Sequence, residues 1–326
     1  MPTPSLPPRS SIRICAAHAV YQLETTLHAC APDIACFTVR NKDELKAQIA
    51  EADVVVASMM WDNALIPAAK QLKFIQSVSA GTDQYDKAAL AAHGIRLASA
   101  AGVNGRAVAE HAMGLLLALK RHIHTGRDHQ AKRHWRGMIG EIARREDEIG
   151  DKTMIIVGMG RIGSALARRA KAFDMHVIGV RRDPMAGAGG ADEVFATRDL
   201  PGLLPRADVV VLACPLTPET ERLLDRQALA VMKPTATLIN VARGKVVDEA
   251  ALVAALAEGR IAAAGIDVTE VEPLDAASPL WAMPNVLITP HTAGETQAYE
   301  ANVVEILLEN LEKQWRGESR LRNEVV

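Results

Sequence analysis

The sequence predicts an α/β fold built on parallel sheets and divided into two domains, one of them a Rossmann dinucleotide-binding domain. Three observations carry this prediction. Short apolar runs rich in β-branched residues alternate with helical patterns almost from end to end, as in sheets whose parallel strands are joined by crossover helices. The motif Val157-Gly158-Met159-Gly160-Arg161-Ile162-Gly163 follows one such run and opens a helical pattern. The chain has 326 residues, more than the roughly 100–200 of a single domain.

In the first third, strands are expected near Arg13–Cys15, Ala35–Val39, Val54–Ala57, Phe74–Ser77 and Arg96–Ser99, with helices between them such as Lys42–Glu51 and Lys87–His93. Asn104 to about Thr125 reads as one long helix: Val108, His111, Ala112, Leu115, Leu116 and Leu119 recur at three- and four-residue steps, and Asn104 suits the N-cap. The charged, aperiodic stretch Arg127–Asp151 reads as a surface loop. A second series then supplies strands at Met154–Val157, His176–Val180, Val209–Ala213, Thr237–Asn240, Ala263–Asp267 and Val286–Ile288. Glu295–Trp315 closes the chain as an amphipathic helix, with Tyr299, Val303, Ile306, Leu307, Leu311 and Trp315 on one face.

Composition removes several classes of function. Apolar residues are 49% of the chain, enough to bury a sizeable core. Lys+Arg 37 against Asp+Glu 39 gives a net charge of −2, which argues against a nucleic-acid surface or a polybasic membrane patch. Cys15, Cys30, Cys36 and Cys214 form no CxxC pair and read as reduced thiols of a cytoplasmic protein. No run approaches the roughly 18 consecutive apolar residues of a membrane span. The segment Met1–Ser10, with Pro2, Pro4, Pro7 and Pro8, lacks the apolar stretch of a signal peptide and is expected to be a disordered tail.

The glycine motif has the strand-before, helix-after context that dinucleotide binding requires. Gly158 permits the tight turn, Gly160 lets a pyrophosphate approach the backbone, and Gly163 lets the helix pack against the strand. Arg161 and Ile162 open the helix, whose amides and dipole favour phosphate. The end of the next strand selects the dinucleotide. An NAD site wants an acid there for the ribose 2′-hydroxyl, but Val180 is followed by Arg181 and Arg182. Two guanidinium groups match a 2′-phosphate by charge and by fork geometry, so NADP is preferred and NAD remains possible. Asp183 is left two roles, reaching the ribose hydroxyl or pairing with an arginine.

Three further motifs fall at strand ends of the second series: Asn240-Val241-Ala242-Arg243-Gly244, Asp267-Val268-Thr269-Glu270-Val271-Glu272-Pro273-Leu274 and Thr289-Pro290-His291-Thr292-Ala293-Gly294. Alone, Arg243, Glu272 and His291 read as a solvated arginine, a surface acid and a loop histidine. Together they bring a cation, an acid and a proton donor to the strand ends where open α/β sheets bind ligands. His122, His124, His129 and His134 have no helical ligand spacing and no nearby cysteine, so no metal site is expected.

From about Ser77 to Leu311 the sequence resembles the D-isomer-specific 2-hydroxyacid dehydrogenases, with the spacing of Arg243, Glu272 and His291 similar to that of the NADP-type glyoxylate/hydroxypyruvate reductases. The resemblance selects Glu272 over Glu270. It implies reduction of a small 2-keto acid, with His291 as acid/base paired to Glu272 and Arg243 polarising the carbonyl. It also implies that Ser79-Ala80-Gly81 holds the substrate carboxylate alongside Arg243, and that Asp267 meets the nicotinamide carboxamide. Val108, Cys214, Pro215, Thr220, Val241, Ala242 and Gly294 would be further cofactor contacts. The implied domain map is a flavodoxin-like substrate domain, discontinuous over 1–104 and 295–326, and a dinucleotide-binding domain over 105–294. The site would lie in the cleft between them, with a homodimer formed through the helix 104–125. Two rival readings remain: a dinucleotide-sensing corepressor or scaffold of the same fold, and a dehydrogenase acting on phosphite or a phosphorylated hydroxyacid.

Overall fold

The computed structural model describes residues 6–326; the first half of the proline-rich segment, residues 1–5, lies outside the described residues. The chain divides into two compact units, Met1–Asn104 with Thr296–Val326, and Gly105–Glu295.

The first unit holds strands β1 (Arg13–Ala17), β2 (Ala35–Val39), β3 (Val54–Ala57), β4 (Phe74–Ser77) and β5 (Arg96–Ala98). Its helices α1 (Leu23–Cys30), α2 (Lys42–Gln48) and α3 (Lys87–Ala92) follow β1, β2 and β4. All pairings are parallel in the order β2-β1-β3-β4-β5, the doubly wound flavodoxin-like arrangement. Alternate residues of the strands enter two separate cores. Ile14, Val54, Val56 and Phe74 meet Leu23 and Leu27 of α1. Cys15, Val55, Ile75 and Leu97 meet Leu45 and Leu90 on the other face. A sheet covered on both faces explains why β3 reads as an unbroken apolar run.

Part of the expected disordered tail is packed. Leu6 is buried in the first of these cores, Trp315 Nε1 donates to the Pro7 carbonyl at 2.9 Å, and Arg9 pairs with Asp33 and Glu312. These partners lie far off in sequence, so no local periodicity announces them. The chain's last residues add an antiparallel run to the β5 edge: Val325 N donates to Leu97 O at 2.8 Å and Leu97 N to Val326 O at 3.1 Å. Arg96 and Glu324 form a mostly buried ion pair beside it, so the edge is not left as a pairing template.

The second unit begins with α4 (Gly105–Lys120) and α5 (Ile123–Ala131). It continues through β6 (Thr153–Val157), α6 (Arg161–Ala172), β7 (His176–Arg181), β8 (Glu193–Ala196), α7 (Leu200–Leu203), β9 (Val209–Leu212), α8 (Arg226–Ala230), β10 (Thr237–Asn240), α9 (Glu249–Ala257), β11 (Ala263–Ile266) and β12 (Val286–Ile288). Its seven parallel strands run β12-β11-β10-β9-β6-β7-β8, the Rossmann order extended by one strand. The strand order reverses between β6 and β9, where such folds take their ligands. The remaining helix, α10 (Tyr299–Trp315), belongs to the first unit and packs Val303, Ile306, Leu307 and Leu311 beside α1.

Three expectations are corrected. The helix expected over 104–125 is two helices, broken where His122 adopts a left-handed backbone with φ 51°. The stretch expected to be loop from Arg127 contains the end of α5 and a 3₁₀ turn at Ile142–Arg144; α5 buries no residue and therefore has no apolar stripe to read. Strand β8 was not anticipated because it is four residues long and only partly buried at the sheet edge. Among the described residues no helix is long and apolar enough to cross a membrane.

Candidate active site

Gly158 turns the chain from β6 toward α6 at φ 103°. A β-carbon there would lie 2.6 Å from the Ala213 carbonyl and the Cys214 nitrogen, and one on Gly163 would lie 2.1 Å from the Gly158 carbonyl oxygen. The protein's own packing therefore demands these two glycines. Gly160 differs: a β-carbon on it would meet nothing within 4 Å, although it stands at the N-terminus of α6. Room left beside free helix amides is what a pyrophosphate requires.

A cavity of about 540 Å³ opens here, and it gathers Gly158, Gly160, Arg181, Arg182, Cys214, Pro215 and Thr220 from among the expected cofactor residues. The others lie outside its lining. Val108 is buried in the core between α4 and the sheet, with Ile162 packed against that core. Arg161 opens α6 and Gly163 lies beneath Gly158. Val241 and Ala242 are buried just after β10. The Thr220 hydroxyl is engaged within its own loop, donating to Pro215 O at 2.7 Å and accepting from Thr217 N at 2.8 Å.

The arginine pair does not behave as a pair. Arg181 Nη1 donates to the carbonyls of Ala186 and Gly187 at 3.0 and 2.7 Å, holding its own loop. Asp183 Oδ1 accepts from Met185 N at 2.9 Å as a turn cap. Arg198 and Glu219 also line the cavity, neither of which the glycine motif announces. The Thr217 hydroxyl, with the glutamate's own amide and Arg182, holds the Glu219 carboxyl below its usual range.

The second cluster is built from the loops after β10, β11 and β12. His291 Nδ1 lies 2.7 Å from Glu272 Oε2, while Glu272 Oε1 accepts from Thr269 N at 3.2 Å. Glu270 instead turns toward Arg222 at 3.7 Å, so Glu272 is the acid that meets the histidine. Both members of the pair are solvent-accessible, so the contact serves orientation more than stability. His291 holds a left-handed backbone, φ 56°, with its amide donating to Asp267 O and Thr289 O. A non-glycine residue in that region costs on the order of 1–3 kcal/mol, a cost the surrounding hydrogen bonds must offset. Arg243 Nη1 anchors to Ala242 O at 2.7 Å, and Asn240 braces the loop by donating to Arg243 O and accepting from Ala242 N, both at 3.1 Å. Among the described residues, the other guanidinium donors of Arg243 make no hydrogen bond.

Asp267 is 3% exposed, and both of its carboxylate oxygens accept hydrogen bonds. It accepts from the Thr289 hydroxyl at 2.6 Å, Thr292 N at 2.9 Å and Ala293 N at 3.0 Å, which ties the β11 and β12 loops together immediately before Gly294. The Thr289 hydroxyl has one proton and gives it to Asp267. It must then accept from His111 Nε2, 2.8 Å away, so that nitrogen of His111 carries hydrogen. By periodicity His111 is only a helix-face residue; its link to Asp267 is visible only once α4 and β12 are placed. Among the described residues no cluster suited to a metal ion is found.

In the first unit, Ser79 bonds within its own loop: its amide donates to Ser77 Oγ at 3.1 Å and its hydroxyl meets Ser58 Oγ at 2.6 Å. Ala80 and Gly81 follow it directly.

Residues 113–293 match the family described as D-isomer specific 2-hydroxyacid dehydrogenase, NAD binding domain. The chain is 38% identical over 279 residues to glyoxylate/hydroxypyruvate reductase B of Serratia proteamaculans, covering 84% of each chain. It is 37% identical over 289 residues to glyoxylate reductase of Pyrococcus furiosus, covering 86% of this chain and 83% of that one. Among solved structures, a D-isomer specific 2-hydroxyacid dehydrogenase from Xanthobacter autotrophicus, in complex with NADPH and MES, superposes with a TM-score of 0.79 at 29% identity over 97% of this chain and 98% of that one. With its two parallel sheets, its dinucleotide turn and these relatives, the chain belongs to the D-isomer-specific 2-hydroxyacid dehydrogenases, NAD(P)-dependent oxidoreductases.

Proposed function

We propose that this protein reduces a small, unphosphorylated 2-keto acid of the glyoxylate or hydroxypyruvate class to its D-2-hydroxy acid, with NADPH as the preferred reductant. The observation that carries the reading is the 2.7 Å contact between His291 Nδ1 and Glu272. With Nδ1 engaged by the carboxylate, Nε2 is the atom left to hand a proton to the substrate oxygen. Glu272 holds the ring plane through that contact. Arg243 supplies a permanent cation that orients the substrate carboxylate and stabilises negative charge developing on the oxygen. When bound, a reduced nicotinamide supplies the hydride for the carbonyl carbon; Gly158 to Gly163 with the N-terminus of α6 would hold its pyrophosphate, and Asp267 its carboxamide. In the first unit, the loop Ser79-Ala80-Gly81 would hold the substrate carboxylate through its backbone amides.

The segment Ser77–Asp86 contains no lysine or arginine, which supports an unphosphorylated substrate. NADPH is supported by Arg182 in the cavity and by the relative from Xanthobacter autotrophicus solved with that cofactor. A homodimer is part of the same reading. Because α4 gives most of its apolar face to its own core, the exposed Ile123, Trp135 and Met138 beyond it are the better candidates for subunit contact; light scattering on the purified chain tests this. The function is tested by a panel of 2-keto acids run with NADPH and with NADH and scored by kcat/KM. Turnover of glyoxylate or hydroxypyruvate is the expected result. Cofactor binding without turnover of any 2-keto acid would make the protein a sensor instead.

A further inference from the structure

The cofactor cavity contains three guanidinium groups, and their surroundings differ. Strands β7 and β8 pair in parallel with Arg181 opposite Ala196. Arg182 and Arg198 therefore leave the sheet at the same end on adjacent strands, and both line the cavity that Gly160 opens onto. Arg181, by contrast, is held by the carbonyls of Ala186 and Gly187. The Arg198 side chain is 86% exposed, and its ion contact is a long one, 3.8 Å to its neighbour Asp199. Asp199 is itself engaged at the end of β8, accepting from Ala196 N at 3.1 Å. Two acids also line the cavity: Asp183, which caps Met185, and Glu219, whose carboxyl is held by the Thr217 hydroxyl and its own amide and feels the charge of Arg182. Three guanidinium groups against two carboxylates leave an excess of one positive charge, to which Arg198 contributes.

We propose that Arg182 and Arg198, rather than the adjacent pair Arg181 and Arg182, form the clamp for the adenosine 2′-phosphate of NADPH, and that Arg181 positions the loop between β7 and β8. The proposal rests on the NADPH reading above and names the residues that bring it about. Two guanidinium groups approaching from different strands close on a phosphate from two sides, whereas neighbours on one strand point to alternate faces. The sites are exposed, so the effect is screened by salt.

The test isolates the phosphate from the rest of the cofactor. Affinities for 2′,5′-ADP and for 5′-AMP are measured by calorimetry at low and high salt on the full chain and on Arg181→Ala, Arg182→Ala and Arg198→Ala. Circular dichroism reports the fold of each variant. Wild type is expected to favour 2′,5′-ADP. Arg198→Ala and Arg182→Ala should each cut that preference about tenfold at low salt and less at high salt. Arg181→Ala should weaken both probes together. If Arg198→Ala leaves the ratio unchanged while Arg181→Ala or Arg182→Ala abolishes it, the clamp proposed here is wrong and the NADPH reading stands. If wild type binds both probes equally, the NADPH reading fails and the clamp fails with it.

Discussion

A β-carbon on Gly244 would stand 1.9 Å from the carbonyl carbon and oxygen of Thr269. The loops after β10 and β11 are therefore pressed backbone to backbone, and this contact ties Arg243 to the segment that presents Glu272. Gly244→Ala cannot be accommodated without moving one loop. Overpacking of this kind costs about 1–3 kcal/mol, so the variant should melt several degrees lower and lose most of its reductase activity. Thermal unfolding and kcat together check this; a variant with wild-type melting and turnover would show that the loops are not tightly joined.

The motif glycines should separate stability from binding. Gly158→Ala faces both a left-handed backbone and a 2.6 Å clash with Ala213, so it should lower the melting temperature clearly. Gly160→Ala meets no neighbour. Its melting temperature should stay within a degree or two of wild type, while its Kd for the dinucleotide rises at least tenfold because the methyl fills the approach to the α6 amides. Equal effects on melting and binding at both positions would contradict this division.

His291→Gln removes the proton donor and keeps a polar side chain of similar reach. General acid catalysis is worth about 100- to 10,000-fold, so reduction should fall into that range while dinucleotide affinity, measured by fluorescence titration, changes less than threefold. A variant within threefold of wild-type kcat would remove His291 from the reaction.

Glu272→Gln retains a hydrogen-bond acceptor for His291 Nδ1 but loses the charge. A charge-assisted bond is worth about 1.5–3 kcal/mol, and the exposure of the pair places the loss at the lower end, roughly tenfold in kcat. Glu270→Gln should leave kcat near wild type, since that carboxylate turns to Arg222. The reverse ranking in steady-state assays would exchange the two acids.

Thiol reactivity should single out one cysteine. Burial pushes Cys15 and Cys36 up to about 12 and Cys214 up to about 11, whereas Cys30 is exposed. Only the thiolate attacks. A raised value keeps the thiol protonated at pH 8, so these three thiols should react slowly there, and Cys214 should speed up only as the pH approaches 11. Mass spectrometry after brief alkylation of the native protein should find Cys30 modified first.

The sheets were legible because covered strands such as β3 and β9 are short continuous apolar runs, and the glycine motif located the turn onto α6. The family resemblance singled out Glu272 over Glu270 through its spacing to His291, and Glu272 is the acid whose Oε2 lies 2.7 Å from His291 Nδ1. What could not be read was anything decided by distant partners. Leu6 and Pro7 are held by a core and a tryptophan near the other end of the chain. His111 meets Asp267 through a hydroxyl almost two hundred positions away. Arg181 reads as a phosphate ligand because a strand-end arginine is the signal sought there; the Ala186 and Gly187 carbonyls that its Nη1 meets are visible only in the fold of its own loop.

The division of the first unit between the two ends of the sequence also orders events during synthesis. Its five strands emerge from the ribosome before any of the second unit, yet α10, which supplies Val303, Ile306, Leu307 and Leu311 to one of its cores, emerges only afterwards. At about 5–20 residues per second, the nascent chain must hold the part of that sheet face beside α1 without its α10 cover for roughly ten to forty seconds while the continuous second unit is made and folds. Of the two units, the one whose synthesis starts first is therefore the last to be completed, and the strip awaiting α10 is where a nascent-chain chaperone has the longest time to bind.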